Sequence, residues 1–114
     1  MIVEDDRTAL NVLKETIVHY GYLASIAGSG HEAIEQAKKH DFEGVLLDLG
    51  LPDMKGIDVL LELRRLHPTI PILIVSGRKE YEANALAKGA NGFLLKPFDP
   101  RSLEESMAQW FGKP

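Results

Sequence analysis

The chain contains no cysteine, which excludes disulfide cross-links and thiolate metal centres and is compatible with a reducing compartment. It has no apolar run near the roughly 20 residues needed to cross a bilayer. The acids Glu4, Asp5 and Asp6 interrupt the N-terminus where a secretory leader would be basic and then apolar. There is no long basic run either, and 17 acidic residues outnumber 13 lysines and arginines for a formal charge of −4. That balance argues against nucleic acid or an anionic membrane as a direct partner. Internal repeats, linkers and low-complexity tracts are also missing, so the 114 residues, 45% of them apolar, read as one domain with a single core of ordinary size. A cytoplasmic protein is the simplest reading.

What is present is alternation. Short apolar runs at Met1–Val3, Leu23–Ala27, Val45–Leu47, Ile72–Val75 and Gly92–Leu95 predict five strands. Several are continuous rather than alternating, the pattern of strands buried on both faces. Between them, helical spacing joins Leu10, Leu13 and Ile17, then Ile57, Leu60 and Leu61, then Leu103, Met107, Trp110 and Phe111. Weaker helices are expected from about His31 to Lys39 and from about Glu80 to Lys88, the latter stopped by Gly89 as a left-handed cap. Pro68 and Pro71 bracket the turn into the fourth strand. Strand and helix alternating with short connections implies an α/β fold, a doubly wound parallel sheet with right-handed crossovers. Its ligands belong beyond the carboxyl ends of the strands, where strand order reverses. The run before Glu4 is short for a central strand, as expected of a chain clipped from a longer protein.

Chemistry collects at those carboxyl ends. Glu4 and Asp5 follow the first strand, Asp48 closes the third, Ser76 the fourth, and Lys96-Pro97 the fifth. Carboxylates brought together there would repel by about 4 kcal/mol per close pair at a surface-like dielectric, so a cation should join them. With oxygen ligands and no histidine at ligand spacing, Mg2+ is favoured over zinc and would keep waters for an incoming phosphate oxygen. Lys96 adds a fixed positive charge and Ser76 a hydroxyl donor. Metal, lysine and hydroxyl are what an aspartyl phosphate needs for an in-line transfer, with Asp48 as nucleophile. Asp6 and Asp53 read instead as loop-solvating or helix-capping residues.

The segments Val3-Glu4-Asp5-Asp6, Leu46-Leu47-Asp48-Leu49, Leu51-Pro52-Asp53-Met54-Lys55-Gly56, Val75-Ser76-Gly77 and Leu95-Lys96-Pro97-Phe98 together resemble the receiver domain of two-component response regulators. The resemblance covers essentially the whole chain, 1–114, and implies a flavodoxin-like (βα)5 sheet of order 2-1-3-4-5. By position it makes Asp48 the phosphoacceptor, Asp5 a direct Mg2+ ligand, Glu4 a ligand through water, and Gly50 a donor of its backbone carbonyl to the metal. Ser76 matches the switch hydroxyl, Lys96 the family lysine, Phe93 the aromatic switch position, and Pro97 a proline that commonly follows a cis bond. Phe93 lacks the hydroxyl of the tyrosine often found there. Arg78, two residues past Ser76, is expected to reach toward the phosphoryl group. The implied donor is a sensor histidine kinase or a histidine phosphotransfer domain. The implied output is a changed surface over the fourth helix, fifth strand and fifth helix, read by an output domain or a homodimer partner. Such a protein catalyses only its own phosphorylation and dephosphorylation and is not otherwise an enzyme. Stand-alone regulator, part of a larger regulator, and receiver of a hybrid sensor kinase all remain open.

Rival readings are weaker. Gly28-Ser29-Gly30-His31-Glu32-Ala33 has the outline of a dinucleotide fingerprint but follows the second strand and leaves Glu4, Asp5 and Lys96 unexplained; a turn with a helix start is the plainer reading. A Mg2+-dependent aspartyl phosphatase usually carries a second Asp two residues after the nucleophile, where this chain has Gly50. A pseudo-receiver that only binds partners would be expected to lack a key group. His19, His31, His40 and His67 show no metal spacing, and Arg64, Arg65, Lys38 and Lys39 read as solvated faces.

Overall fold

The computed structural model of the protein describes residues 1–114. Its elements are β1 (Ile2–Val3), α1 (Arg7–His19), β2 (Ile26–Ala27), α2 (Gly30–Lys39), β3 (Val45–Asp48), α3 (Gly56–Leu66), β4 (Ile72–Ser76), a 3-10 turn (Lys79–Tyr81), α4 (Glu82–Ala87), β5 (Gly92–Leu95) and α5 (Pro100–Phe111). The five strands are parallel in the order β2-β1-β3-β4-β5, the expected flavodoxin-like topology. No helix is long and apolar enough to cross a membrane.

Side chains alternate across the sheet, so β3 and β4 feed both layers. Leu47, Ile72 and Ile74 join Val59, Leu60 and Leu63 on the α2–α3–α4 side, while Leu46, Leu73 and Val75 join Leu10, Leu13, Ile17, Leu103 and Met107 on the α1–α5 side. Burying one such leucine contributes about 2 to 3 kcal/mol. Helix starts follow local chemistry. Asp6 caps α1 through the Thr8 amide at 2.9 Å, Ser29 caps α2 through the Glu32 amide at 3.1 Å, and Asp99 caps α5 through the Ser102 amide at 2.7 Å. Thus the Gly28–Ala33 segment is a turn and a capped helix start.

Several details differ from the sequence expectation. The second strand is confined to Ile26–Ala27, the two residues that pair with the equally short β1, and Leu23 lies fully exposed before it. On α3 the buried stripe is Gly56, Val59, Leu60 and Leu63, whereas Leu61 faces solvent; the neighbouring leucines leave the helical phase ambiguous. The fourth helix begins as the 3-10 turn and continues as a six-residue α4 with Ala85 as its buried residue. Gly89 then takes φ 111°, as its capping role requires. Trp110 and Phe111 pack half-buried against the α1–α5 layer.

Arg64 is the largest departure, because it is not a solvated residue. Its guanidinium donates to the carbonyls of Gly89, His67 and Ile70 and to Asn91 Oδ1 at 2.7–3.1 Å, and Asn91 Oδ1 also accepts from the Ile72 amide. It thereby ties the end of α3 to the turn after α4 and the start of β5. His67, at the end of α3, is turned inward with Nε2 2.7 Å from the Ala37 carbonyl.

Candidate functional site

Register gathers the residues. Val3 pairs with Leu47, so Glu4 leaves the sheet beside Asp48; Asp48 pairs with Val75 and Ser76 with Leu95. The ladder runs one rung further, where the Lys96 amide donates to the Ser76 carbonyl at 2.8 Å. Four successive strand ends therefore deliver Glu4 and Asp5, Asp48, Ser76 and Lys96 to one edge.

The centre of the cluster is Lys96. Its Nζ lies 3.0 Å from Glu4 Oε1 and 3.0 Å from Asp48 Oδ2. The other oxygens are held by backbone: Asp48 Oδ1 accepts from the Gly50 amide at 2.8 Å, and Glu4 Oε2 from the Asp6 amide at 3.3 Å. Glu4 is only 2% exposed, Asp48 is half-buried and Asp5 faces solvent. One oxygen from each of Glu4, Asp5 and Asp48 falls within 4.8 Å of the others. Three carboxylates at that spacing form an all-oxygen donor set that fits a hard divalent cation.

Electrostatics separates the two inner acids. Burial, with the Asp48 carboxylate beside it, pushes the Glu4 carboxyl from 4.5 up to about 7. Burial also pushes Asp48 upward, but hydrogen bonds from Glu4, the Gly50 amide and Lys96 outweigh it and hold Asp48 below its usual range. Burial lowers the Lys96 ammonium, and its bonds to Asp48 and Glu4 more than reverse that. Asp48 is thus an ionised, directed carboxylate at neutral pH, and the pair of acids carries more negative charge than one lysine cancels.

The remaining expected positions lie around this cluster. Ser76 is 5% exposed, and its Oγ accepts from the Arg78 amide at 3.1 Å. The Arg78 side chain turns away from the expected direction. Its Nε pairs with Glu80 at 3.0 Å and its guanidinium lies 5.5 Å from the centre of the Tyr81 ring. Phe93 is half-buried against the α2–α3–α4 layer, and Pro97 is exposed after a cis Lys96–Pro97 bond. Gly50 is exposed in the loop after β3. That loop closes on itself at Gly56, where any Cβ would stand 2.3 Å from the Leu49 Cα, which only glycine permits. The sequence reading missed the Asp6 amide that steadies Glu4, although the run of three acids was its visible trace.

The family model for the response regulator receiver domain matches residues 1–108. The chain belongs to that family, the receiver domains of two-component response regulators. It is 36% identical over 109 residues to the transcriptional regulatory protein ZraR of Salmonella typhimurium, covering 94% of this chain and 25% of that protein. It is 33% identical over 110 residues to the chemotaxis protein CheY of Thermotoga maritima, covering 94% of this chain and 92% of that one. The chain thus spans about a quarter of the ZraR relatives' length and nearly all of CheY. Among solved structures, a CheY-like receiver domain from Methanospirillum hungatei JF-1 matches with TM-score 0.89 and 31% identity, covering 95% of this chain and 88% of that one. The receiver domain of a sensor histidine kinase from Pseudomonas aeruginosa PAO1 matches with TM-score 0.89 and 25% identity, covering 97% and 94%; that structure holds a magnesium ion in its active-site cleft.

Proposed function

We propose that residues 1–114 form one receiver unit in which Asp48 accepts a phosphoryl group from a phosphohistidine. The observation that carries this is the Lys96 ammonium set 3.0 Å from both Glu4 and Asp48, beside a three-carboxylate cluster. Family membership supports it, and so does the magnesium ion in the related kinase receiver.

The residues fit Mg2+: Asp5 and Asp48 as direct ligands, the Gly50 carbonyl as a third, and Glu4 through water. When bound, the ion supplies charge neutralisation for phosphoryl oxygens. The chain's own groups do the rest. An ionised Asp48 oxygen attacks phosphorus, the P–N bond to the donor histidine breaks, and the electron pair returns to the imidazole nitrogen, which takes up a proton. Lys96 leaves its pairing with Asp48 to neutralise one phosphoryl oxygen, and the Ser76 hydroxyl donates to another. Attack of water on phosphorus breaks its bond to the Asp48 oxygen and returns inorganic phosphate and the Asp48 carboxylate, so the module acts on itself and turns over no other substrate.

The phosphoryl group adds a charge of about −1.5 to −2, which draws Ser76 inward. Phe93 follows into the space released, and the β5 end at Pro97 and the surface of α4, β5 and α5 change together. The short α4, with Ala85 as its buried anchor, supports this choice of moving element. The partners are a sensor histidine kinase or histidine phosphotransfer domain and, on the output side, an appended domain or a second copy. We place the module in the cytoplasm, either in a regulator or as the receiver of a hybrid kinase. Intact mass after incubation with acetyl phosphate and Mg2+ tests the reading. One added phosphoryl group that requires both Mg2+ and Asp48, and is lost in Asp48→Asn, is the expected result; no gain in the folded protein overturns it.

A further inference from the structure

Asp53 sits at the tip of the loop between β3 and α3, yet its bonds go to a different element. Oδ1 accepts from the Gly30 amide at 2.9 Å, and Oδ2 accepts from the His31 amide at 2.9 Å with His31 Nδ1 2.5 Å away. These partners are the first residues of α2, 22 and 23 positions earlier in the chain. Ser29 takes only the Glu32 amide, and Asp53, reaching over from another element, takes two further free N–H groups of the first turn. The carboxylate is therefore an added strut between loop and helix. Its amide donors, His31 first and Gly30 next, hold its carboxyl down at about 2, so it is ionised at any working pH.

The junction is also sterically tight. A Cβ on Gly30 would stand 2.8 Å from Val59 Cγ2 and 3.1 Å from Met54 Sδ, so loop and α3 press directly on the start of α2. Within the loop, Leu51 is buried in the core, and the Gly50 amide bonds Asp48 Oδ1 at 2.8 Å. That last bond ends on the carboxylate whose chemistry changes on phosphorylation. Asp53 provides a hold three residues further along that does not depend on Asp48.

We infer that Asp53 is a positioning residue that clamps the loop to the first turn of α2 and so fixes the Gly50 carbonyl for the metal. The inference rests on the Mg2+ reading proposed above. It makes α2, which contributes no group to the site, part of the site's mechanical support, and by linkage Mg2+ binding is felt at the Gly30 and His31 amides.

The test compares Asp53→Ala, Asp53→Asn and Ser29→Ala with the unmodified chain. Calorimetric Mg2+ titration and amide NMR spectra are recorded for each. Asp53→Ala raises the Mg2+ dissociation constant about ten-fold, and Asp53→Asn, which keeps one acceptor oxygen, falls in between. Ser29→Ala removes the helix's own cap and lowers Tm comparably, but changes Mg2+ affinity by less than about two-fold. In the unmodified chain Mg2+ moves the Gly30 and His31 amide resonances, and in Asp53→Ala it does not. Saturating Mg2+ restores the rate of Asp48 phosphorylation in Asp53→Ala, which separates positioning from chemistry. Equal Mg2+ affinity in the unmodified chain and Asp53→Ala overturns the clamp alone, as does an equal loss in Ser29→Ala. Failure of the unmodified chain to bind Mg2+ overturns the metal reading and the clamp with it.

Discussion

Two cationic side chains, Arg64 and Lys96, are drawn into this fold, and they are treated in opposite ways. Arg64 is surrounded by neutral acceptors, the carbonyls of Gly89, His67 and Ile70 and the amide oxygen of Asn91, which together engage its guanidinium nitrogens. Lys96 faces two carboxylates, Glu4 and Asp48, with Asp5 close by. The first arrangement is complete: every bond serves to hold α3, the turn after α4 and β5 together. The second carries surplus negative charge, and Glu4 is left holding a proton up to about pH 7. Completion marks a structural joint, and an excess of one sign is what the proposed binding of a cation and transfer of a phosphoryl group require.

The largest effect is expected at the complete site. Arg64→Ala leaves several carbonyls without donors and should cost about 3 kcal/mol, seen as a lower urea midpoint at unchanged m-value, while the folded fraction still takes up phosphate on Asp48. If Arg64→Ala instead proves neutral, the contrast between the two groups collapses.

Next comes pH. The folded chain binds the Glu4 proton more tightly than the unfolded chain, whose carboxyl titrates near 4.5. Without metal, this group's contribution is fully present below about pH 4.5 and is lost as pH rises through about 7, on the order of 3 kcal/mol. Asp48 and Asp53, held below their usual range, act in the opposite sense but titrate below that window, while the buried Met1 amine, lowered from 8.0 to about 6, opposes the decline between about pH 6 and 8. Chemical denaturation between pH 4 and 6, below the range in which the Met1 amine titrates, should show the decline, and Glu4→Gln should flatten it, as should Mg2+. A slope that survives Glu4→Gln would assign the proton to another group.

Lys96→Ala is expected to cost less, about 1 kcal/mol without metal, because the ammonium is a third exposed and Glu4 can keep its proton in response. Millimolar Mg2+ should recover most of that loss by thermal melting, since a metal can replace the missing charge. No such recovery is expected for Arg64→Ala. The smallest effect belongs to Leu23→Ser, within about 0.5 kcal/mol, because that leucine touches solvent all round.

The two sites were unequally legible in the sequence. Strand-end acids and Lys96 stood out because an apolar run followed by a charged residue is a local pattern, and parallel topology puts all strand ends on one side. Nothing local announces Arg64, since its partners are mostly backbone carbonyls and Gly89 and Asn91 lie 25 and 27 positions away. Arg64 and Arg65 look alike as a pair; helical phase sends Arg65 out to Glu62 and Arg64 inward. The same limit hid the direction of Arg78, which is set by Glu80 and Tyr81 as local competitors. Phase also explains Leu61, and pairing with the two-residue β1 explains the shortened β2.

The contact between Glu4 and Lys96 joins residues 92 positions apart. Synthesis runs from the N-terminus, so a nascent chain that has released β1 through β4 displays the carboxylates without their ammonium. The charge cluster is finished only when β5 docks as the last strand against β4. A chain that stops before β5 therefore holds Glu4 and Asp48 without Lys96, and the proposed phosphoacceptor site is absent until the fifth strand is in place.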